Sequence, residues 1–237
     1  MTSIDRFSGF GPATIRFINE LAAHNERDWF AKHKGDYERD LLRPLQSLAA
    51  DLGPTLATID PEIEIAPAVG KTIARIQRDT RFSHDKSPYK TTHWITFKRP
   101  RKDWQDAPAY FFELSANGYR YGMGFYLASR PTMDALRQRI DARPAEFRAA
   151  IACLDDANPF AIKGDTYRRP LRHDLPPDFE PWYHRKNLYL AAHGVCDETG
   201  IPSTLLHTLT REFECISPLY DYLLRTCPSY RDRLQAG

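Results

Sequence analysis

The sequence predicts an α+β domain, an antiparallel sheet meander flanked by N-terminal and C-terminal helices. Three observations point there. Apolar residues recur at helical spacing before residue 56 and again after residue 131. Residues that favour strands concentrate between 69 and 127. In the richest of these runs, Asn117-Gly118 reads as a type I′ hairpin turn. At 237 residues, 42% hydrophobic and 12% aromatic, the chain suits one domain over 1–237 with a substantial core. Its parts are a helical stretch to residue 56, a sheet core over 69–127, and helices with one returning strand over 131–237.

Pro12 suits the first turn of a helix, and Phe17, Ile18, Leu21 and Ala22 follow at helical spacing. Asn25 is expected to end that helix and cap a short one anchored by Trp29 and Phe30. Leu41, Leu45, Leu48 and Leu52 mark a further helix, kinked or restarted at Pro44 and stopped by Gly53-Pro54. Residues 69–76 and 92–98 read as strands, with a basic, proline-bounded loop over 99–108. Taking Asn117-Gly118 as the hairpin loop puts Leu114, Phe112 and Tyr110 opposite Tyr121, Met123 and Phe125 on one apolar face. The other face pairs Glu113 with Gly122 and Phe111 with Gly124, a bare floor that a ligand or another backbone can approach. Helices are expected over 131–141 and 144–155, an irregular stretch over 158–185, and a return to the sheet at 187–192. From Pro202 a last helix runs through Leu223, shortened or bent at Pro218.

Charge is unevenly placed. The net charge is only +2, yet Lys71 to Asp103 holds ten Lys/Arg against three Asp, a net +7 that leaves −5 for the rest. A basic segment on an acidic body points to a local anionic partner. Cys153, Cys196, Cys215 and Cys227 lie far apart with no C-x-x-C pair, which argues against a structural zinc site and for a reduced chain. No apolar run approaches a membrane span, and no signal-peptide core opens the chain, so a soluble cytoplasmic protein without a membrane partner is expected. The phosphate-loop, dinucleotide-loop and nucleophile-elbow patterns are all missing.

The chemistry concentrates in Lys71 to Lys90, where Arg75, Arg78, Arg81, Lys86 and Lys90 alternate with Asp79 and Asp85. Arginine offers a planar fork of donors suited to phosphate or carboxylate. Ser87-Pro88-Tyr89 adds a tight turn to hold these groups still. Asp79, Asp85 and Glu113 are the candidate acid/base or metal-binding carboxylates, and together they would suit Mg²⁺, but their spacing specifies no metal site. The sequence leaves the identity of any cofactor open. The plainer reading of the motif is a salt-bridged loop that closes the sheet.

The string R-I-Q-R-D-T-R-F-S-H-D-K-S-P-Y-K, Arg75 to Lys90, resembles the hallmark R-I-x-R-D-x-R-F-x-x-D-K-x-P-Y-K of a widespread bacterial and fungal family of conserved hypothetical proteins. The opening Phe17 to Phe30 is similar to that family's F-L-x-x-L-x-x-N-N-x-x-x-W-F, with His24-Asn25 in place of the double Asn. The hairpin from Phe111 to Gly124 matches too, and R-K-N-L-Y at 185–189 resembles a segment that picks out Lys186. The resemblance implies one domain and supplies no activity.

The expected function is binding or processing of a phosphorylated or otherwise anionic small molecule, with nucleotides among the candidates. Arg75, Arg78, Arg81, Lys86, Tyr89, Lys90 and Lys186 are the expected ligand contacts. One alternative is a nucleic-acid-binding module in which Lys98, Arg99, Arg101 and Lys102 extend the basic patch along a phosphate backbone. Another is a protein-interaction scaffold with a structural loop.

Overall fold

The structure, a computed structural model, describes residues 4–100, 102, 104–155, 158–227 and 230. In chain order its elements are β1 (Gly9–Phe10), α1 (Pro12–Ala23), α2 (Arg27–Lys32), α3 (Lys34–Asp36), α4 (Arg43–Ile59), β2 (His93–Phe97), β3 (Pro108–Ser115), β4 (Gly118–Phe125), α5 (Arg130–Ala142), α6 (Pro144–Ala150), β5 (Ala161–Lys163), α7 (Glu180–Tyr183), β6 (Tyr189–Gly194), β7 (Ile201–Pro202), α8 (Thr204–Cys215) and α9 (Ser217–Thr226). A π-helical turn, Tyr37–Leu42, joins α3 to α4. An antiparallel sheet runs in the order β2-β3-β4-β6-β5, and β1 pairs with β7 in a separate ribbon. This is the expected α+β class, with helices flanking the sheet.

The chain forms two compact units: residues 4–97, 111–121 and 193–211 in the first, and 98–110, 122–192 and 212–230 in the second. In the first, Phe10 stacks flat on Phe112 at 5.6 Å, and Ile18, Leu21, Leu48, Leu52, Leu56 and Ile95 are fully buried. In the second, Tyr110 lies 5.0 Å from both Phe213 and Tyr220, and Phe147 sets its edge against Phe179 and Trp182.

The helix entries follow the prolines. Pro12, Pro131, Pro144 and Pro218 all sit in first turns, where the missing N–H has no partner to lose. Pro44 instead follows the π-helical turn within an unbroken helical run, and Pro218 divides the expected last helix into α8 and α9. Gly53-Pro54 does not stop α4, which continues to Ile59. Burial of Leu52 and Leu56 on one stripe, with Gly53 packed on Ile65, outweighs the hydrogen bond lost at Pro54. α6 ends at Ala150 rather than 155, and the irregular stretch after 158 contains β5 and α7.

Two strand expectations are corrected. Residues 69–76 make only isolated bridges, Val69 with Ile73 and Ile73 with Ile95, not a strand. In the hairpin, β3 ends at Ser115 and β4 resumes at Gly118, so the connection is Ala116-Asn117, one residue earlier than expected. A type I′ turn needs positive φ at both central residues, and no described non-glycine residue has it. Gly118 does, at 133°, as the first residue of β4. The shift moves every cross-strand partner by two positions and leaves the faces unchanged. Tyr110, Phe112, Leu114, Tyr121, Met123 and Phe125 are all buried, as the alternation requires.

Candidate functional site

The basic loop is closed at its base by backbone pairing. Gln77 bridges Tyr89, Arg78 N–H donates to Pro88 O at 2.8 Å, and Lys90 N–H donates to Ile76 O at 2.8 Å. Asn25 then ties the loop to the start of α2. Its Nδ2 donates to Tyr89 O and its Oδ1 accepts from Tyr89 N–H, both at 3.0 Å. The Tyr89 ring stacks on Phe30 at 4.2 Å. The expected cap is thus corrected: Glu26 is the residue before α2, and Asn25 uses its amide on the loop instead.

Within the loop the charged side chains other than Arg75 have local partners. Arg78 Nη1 donates to Asp85 and, at 2.8 Å, to Ser87 Oγ, while Nη2 reaches Ser83 Oγ at 3.5 Å. Asp79 takes a two-pronged contact from Arg81, at 2.9 and 2.6 Å, and accepts from the Arg81 N–H. Lys86 Nζ donates to Thr80 O at 2.9 Å, and Lys90 Nζ to Arg75 O at 3.0 Å. The Arg75 side chain is exposed and makes no hydrogen bond with a described residue. These contacts hold the two aspartates as carboxylates. The Arg81 guanidinium, helped by its backbone N–H, keeps Asp79 down at about 2. The Ser87 hydroxyl and then Arg78 keep Asp85 well below the usual carboxylate range.

A cleft of about 520 Å³ opens between this loop and the start of α2, lined by Asn25, Glu26, Arg27, Gln77, Arg78, Thr80, Lys86, Pro88 and Tyr89. Of the residues expected to contact ligand, it gathers Arg78, Lys86 and Tyr89. Arg75, Arg81 and Lys90 belong to the loop but not to the cleft lining. Lys186 belongs to the second unit, where its N–H donates to Asp165 O at 2.7 Å and its ammonium lies 5.5 Å from the Tyr167 ring. Arg27 escaped the sequence reading because one cation in the exposed first turn of a short helix carries no pattern. Asn25 stood in a recognisable motif, and the signal was assigned to capping.

Glu113 lies elsewhere. It is paired with Arg120, whose guanidinium sits 5.1 Å over Trp94. Both line a smaller hollow of about 360 Å³ with Tyr119 and His193. The three candidate carboxylates do not converge, and among the described residues no group of three His, Cys, Asp or Glu could hold a metal ion. The glycine floor is occupied by the protein itself. A Cβ on Gly122 would overlap the Leu190 carbonyl, and one on Gly124 would overlap Tyr189. Of the two approaches the glycines allow, a neighbouring backbone is the one observed.

The stretch proposed to follow a phosphate backbone is also partly withdrawn from solvent. Lys98 Nζ lies 3.4 Å from the Trp104 ring centroid, Arg99 is buried with its guanidinium 5.6 Å from the Tyr230 ring, and Lys102 is exposed. Arg101 lies outside the described residues. Burial lowers the Lys98 pKa, so this ammonium is already partly committed to an apolar neighbour. Among the described residues, no helix is long and apolar enough to cross a membrane.

An α+β chain whose first helices clamp a basic, backbone-closed loop can be set beside known proteins. A family model described as "Conserved hypothetical protein (DUF2461)" matches residues 13–222, and the chain belongs to that family. No curated protein matches it.

Proposed function

We propose that the protein binds a phosphorylated or otherwise anionic small molecule in the cleft between α2 and the 76–90 loop. One observation carries this reading. Arg27, Arg78 and Lys86 line a cleft that holds a single carboxylate of its own, Glu26. Asp85 and Ser87 orient Arg78 without using all of its donors. Among the described residues, Arg27 makes no hydrogen bond or ion pair, and Lys86 gives one hydrogen bond, to Thr80 O. Donors aimed at an open volume from two separate chain segments suit an anion with several acceptor oxygens. The Asn25 clamp keeps those segments in register before the ligand arrives, which reduces the ordering cost of binding.

The test is a thermal-shift and calorimetric screen of phosphate, pyrophosphate, sugar phosphates and nucleoside phosphates. Stabilisation of the wild-type chain is expected, and an Arg27→Ala, Lys86→Ala double variant should lose it. Absence of any response across these anions would overturn the reading.

A further inference from the structure

The turn that starts at Thr80 of the cleft wall carries a side chain that the anion alone does not explain. Phe82 is 95% exposed, and it is the only one of the chain's 13 phenylalanines on the surface; the other twelve are buried or half-buried. Its exposure is built into the loop. Arg81 and Phe82 are the central residues of a turn in which Ser83 N–H donates to Thr80 O at 3.4 Å. The first peptide of that turn is held twice, by Asp79 through the Arg81 N–H and by Lys86 through Thr80 O. Thr80 and Lys86 both line the cleft, so the bond between them fastens the turn to the cleft wall. One cation, Arg81, lies 5.8 Å from the Phe82 ring centroid and is itself held by Asp79. The ring therefore stands on a turn two residues from Thr80 of the cleft wall, with nearly all of its surface bare. A phenylalanine offers a flat apolar surface that every nucleobase can stack on.

We infer that Phe82 is a stacking platform for the aromatic ring of the ligand whose phosphate occupies the cleft, so that the ligand is a nucleoside phosphate. The inference rests on the cleft reading above and adds a second, separable contact. Phosphate oxygens meet Arg27, Arg78 and Lys86, and the base lies on Phe82. Stacking of this kind, typically about 1–3 kcal/mol per base, corresponds to a discrimination of about fivefold to 150-fold.

The experiment titrates the full-length chain with the four ribonucleoside monophosphates and with ribose 5-phosphate, which keeps the anion and lacks the ring. At least one nucleotide should bind about fivefold or more tightly than ribose 5-phosphate. Phe82→Ala should erase that preference and Phe82→Trp should keep it, with melting temperatures unchanged because the side chain touches so little. Phe82→Leu tests the ring itself: if the apolar leucine preserves the preference, stacking is wrong. Equal binding of ribose 5-phosphate and all four nucleotides would overturn the inference and leave the cleft reading intact. Binding that survives the Arg27→Ala, Lys86→Ala double variant would instead overturn the cleft reading. Silence from every ligand would overturn both.

Discussion

The side-chain amide of Asn25 answers both backbone groups of Tyr89, and this one residue couples the first helices to the basic loop. Asn25→Ala removes two hydrogen bonds and leaves a half-buried N–H and C=O behind. A loss of about 1–3 kcal/mol is expected in denaturant unfolding. Asn25→Asp keeps the acceptor and loses the donor, so it should fall between wild type and alanine. His93 makes a different statement. It is buried on β2, its Nε2 has no hydrogen-bond partner among the described residues, and burial, with a smaller contribution from Lys90, holds its pKa down at about 4. The folded chain therefore refuses a proton that the unfolded chain accepts near pH 6.5. Stability from this source is complete above pH 6.5, declines as pH falls toward 4, and is level below that. The full span is about 2–4 kcal/mol, and His93→Phe should flatten it in urea titrations run across that window. Asp79 bears the same sign on the surface. Its carboxyl is depressed to about 2, so the Arg81 contact persists above the ordinary carboxylate range and is lost as pH falls toward 2, a change that carboxyl NMR would report.

At the scale of elements, β4 meets β6 with no room for a side chain at Gly122. Gly122 has no room for a Cβ because the Leu190 carbonyl fills the space, and the obstruction is backbone that cannot rotate away. Gly122→Ala should therefore disrupt the pairing and yield little folded protein. Gly35, in the short helix α3, meets nothing within 4 Å, and Gly35→Ala should stabilise by about 0.5–1 kcal/mol. Measuring expression and unfolding midpoints for the pair separates space from conformational freedom. Most elements here were legible in the sequence. The helix starts were marked by proline, the β3 and β4 faces by alternation, and β6 by its apolar run. The failures have common physical causes. β1 and β7 are two residues each and carry no period. Pro54 was outweighed by the stripe it interrupts, and the Asn117-Gly118 connection was displaced by one position because Gly118 takes its positive φ as the first residue of β4. Arg137 was invisible as a strut: it is buried mid-helix and donates to the carbonyls of Tyr183 and Arg185 at 2.9 and 2.6 Å.

For the whole molecule, charge placement sets what can be expected of a partner. Much of the +7 stretch is already committed within the protein: Arg81 answers Asp79, Arg78 answers Asp85, Lys98 sits against Trp104 and Arg99 is buried. Contacts to single- or double-stranded nucleic acid should therefore be weak near physiological salt, as fluorescence polarisation would show; tight binding that falls steeply with salt would reverse this expectation. The sequence by itself determined the class of fold, the helix entries, the buried faces of the hairpin and the segment where cations gather, because proline geometry, periodicity and charge density are local properties. Tertiary structure alone decided which cations share a cleft, that Arg27 and Asn25 join them, that Glu113 stands with Arg120, and that the protein's own backbone covers the glycines. Those outcomes depend on which distant segments meet, and side-chain spacing along one chain does not encode that meeting.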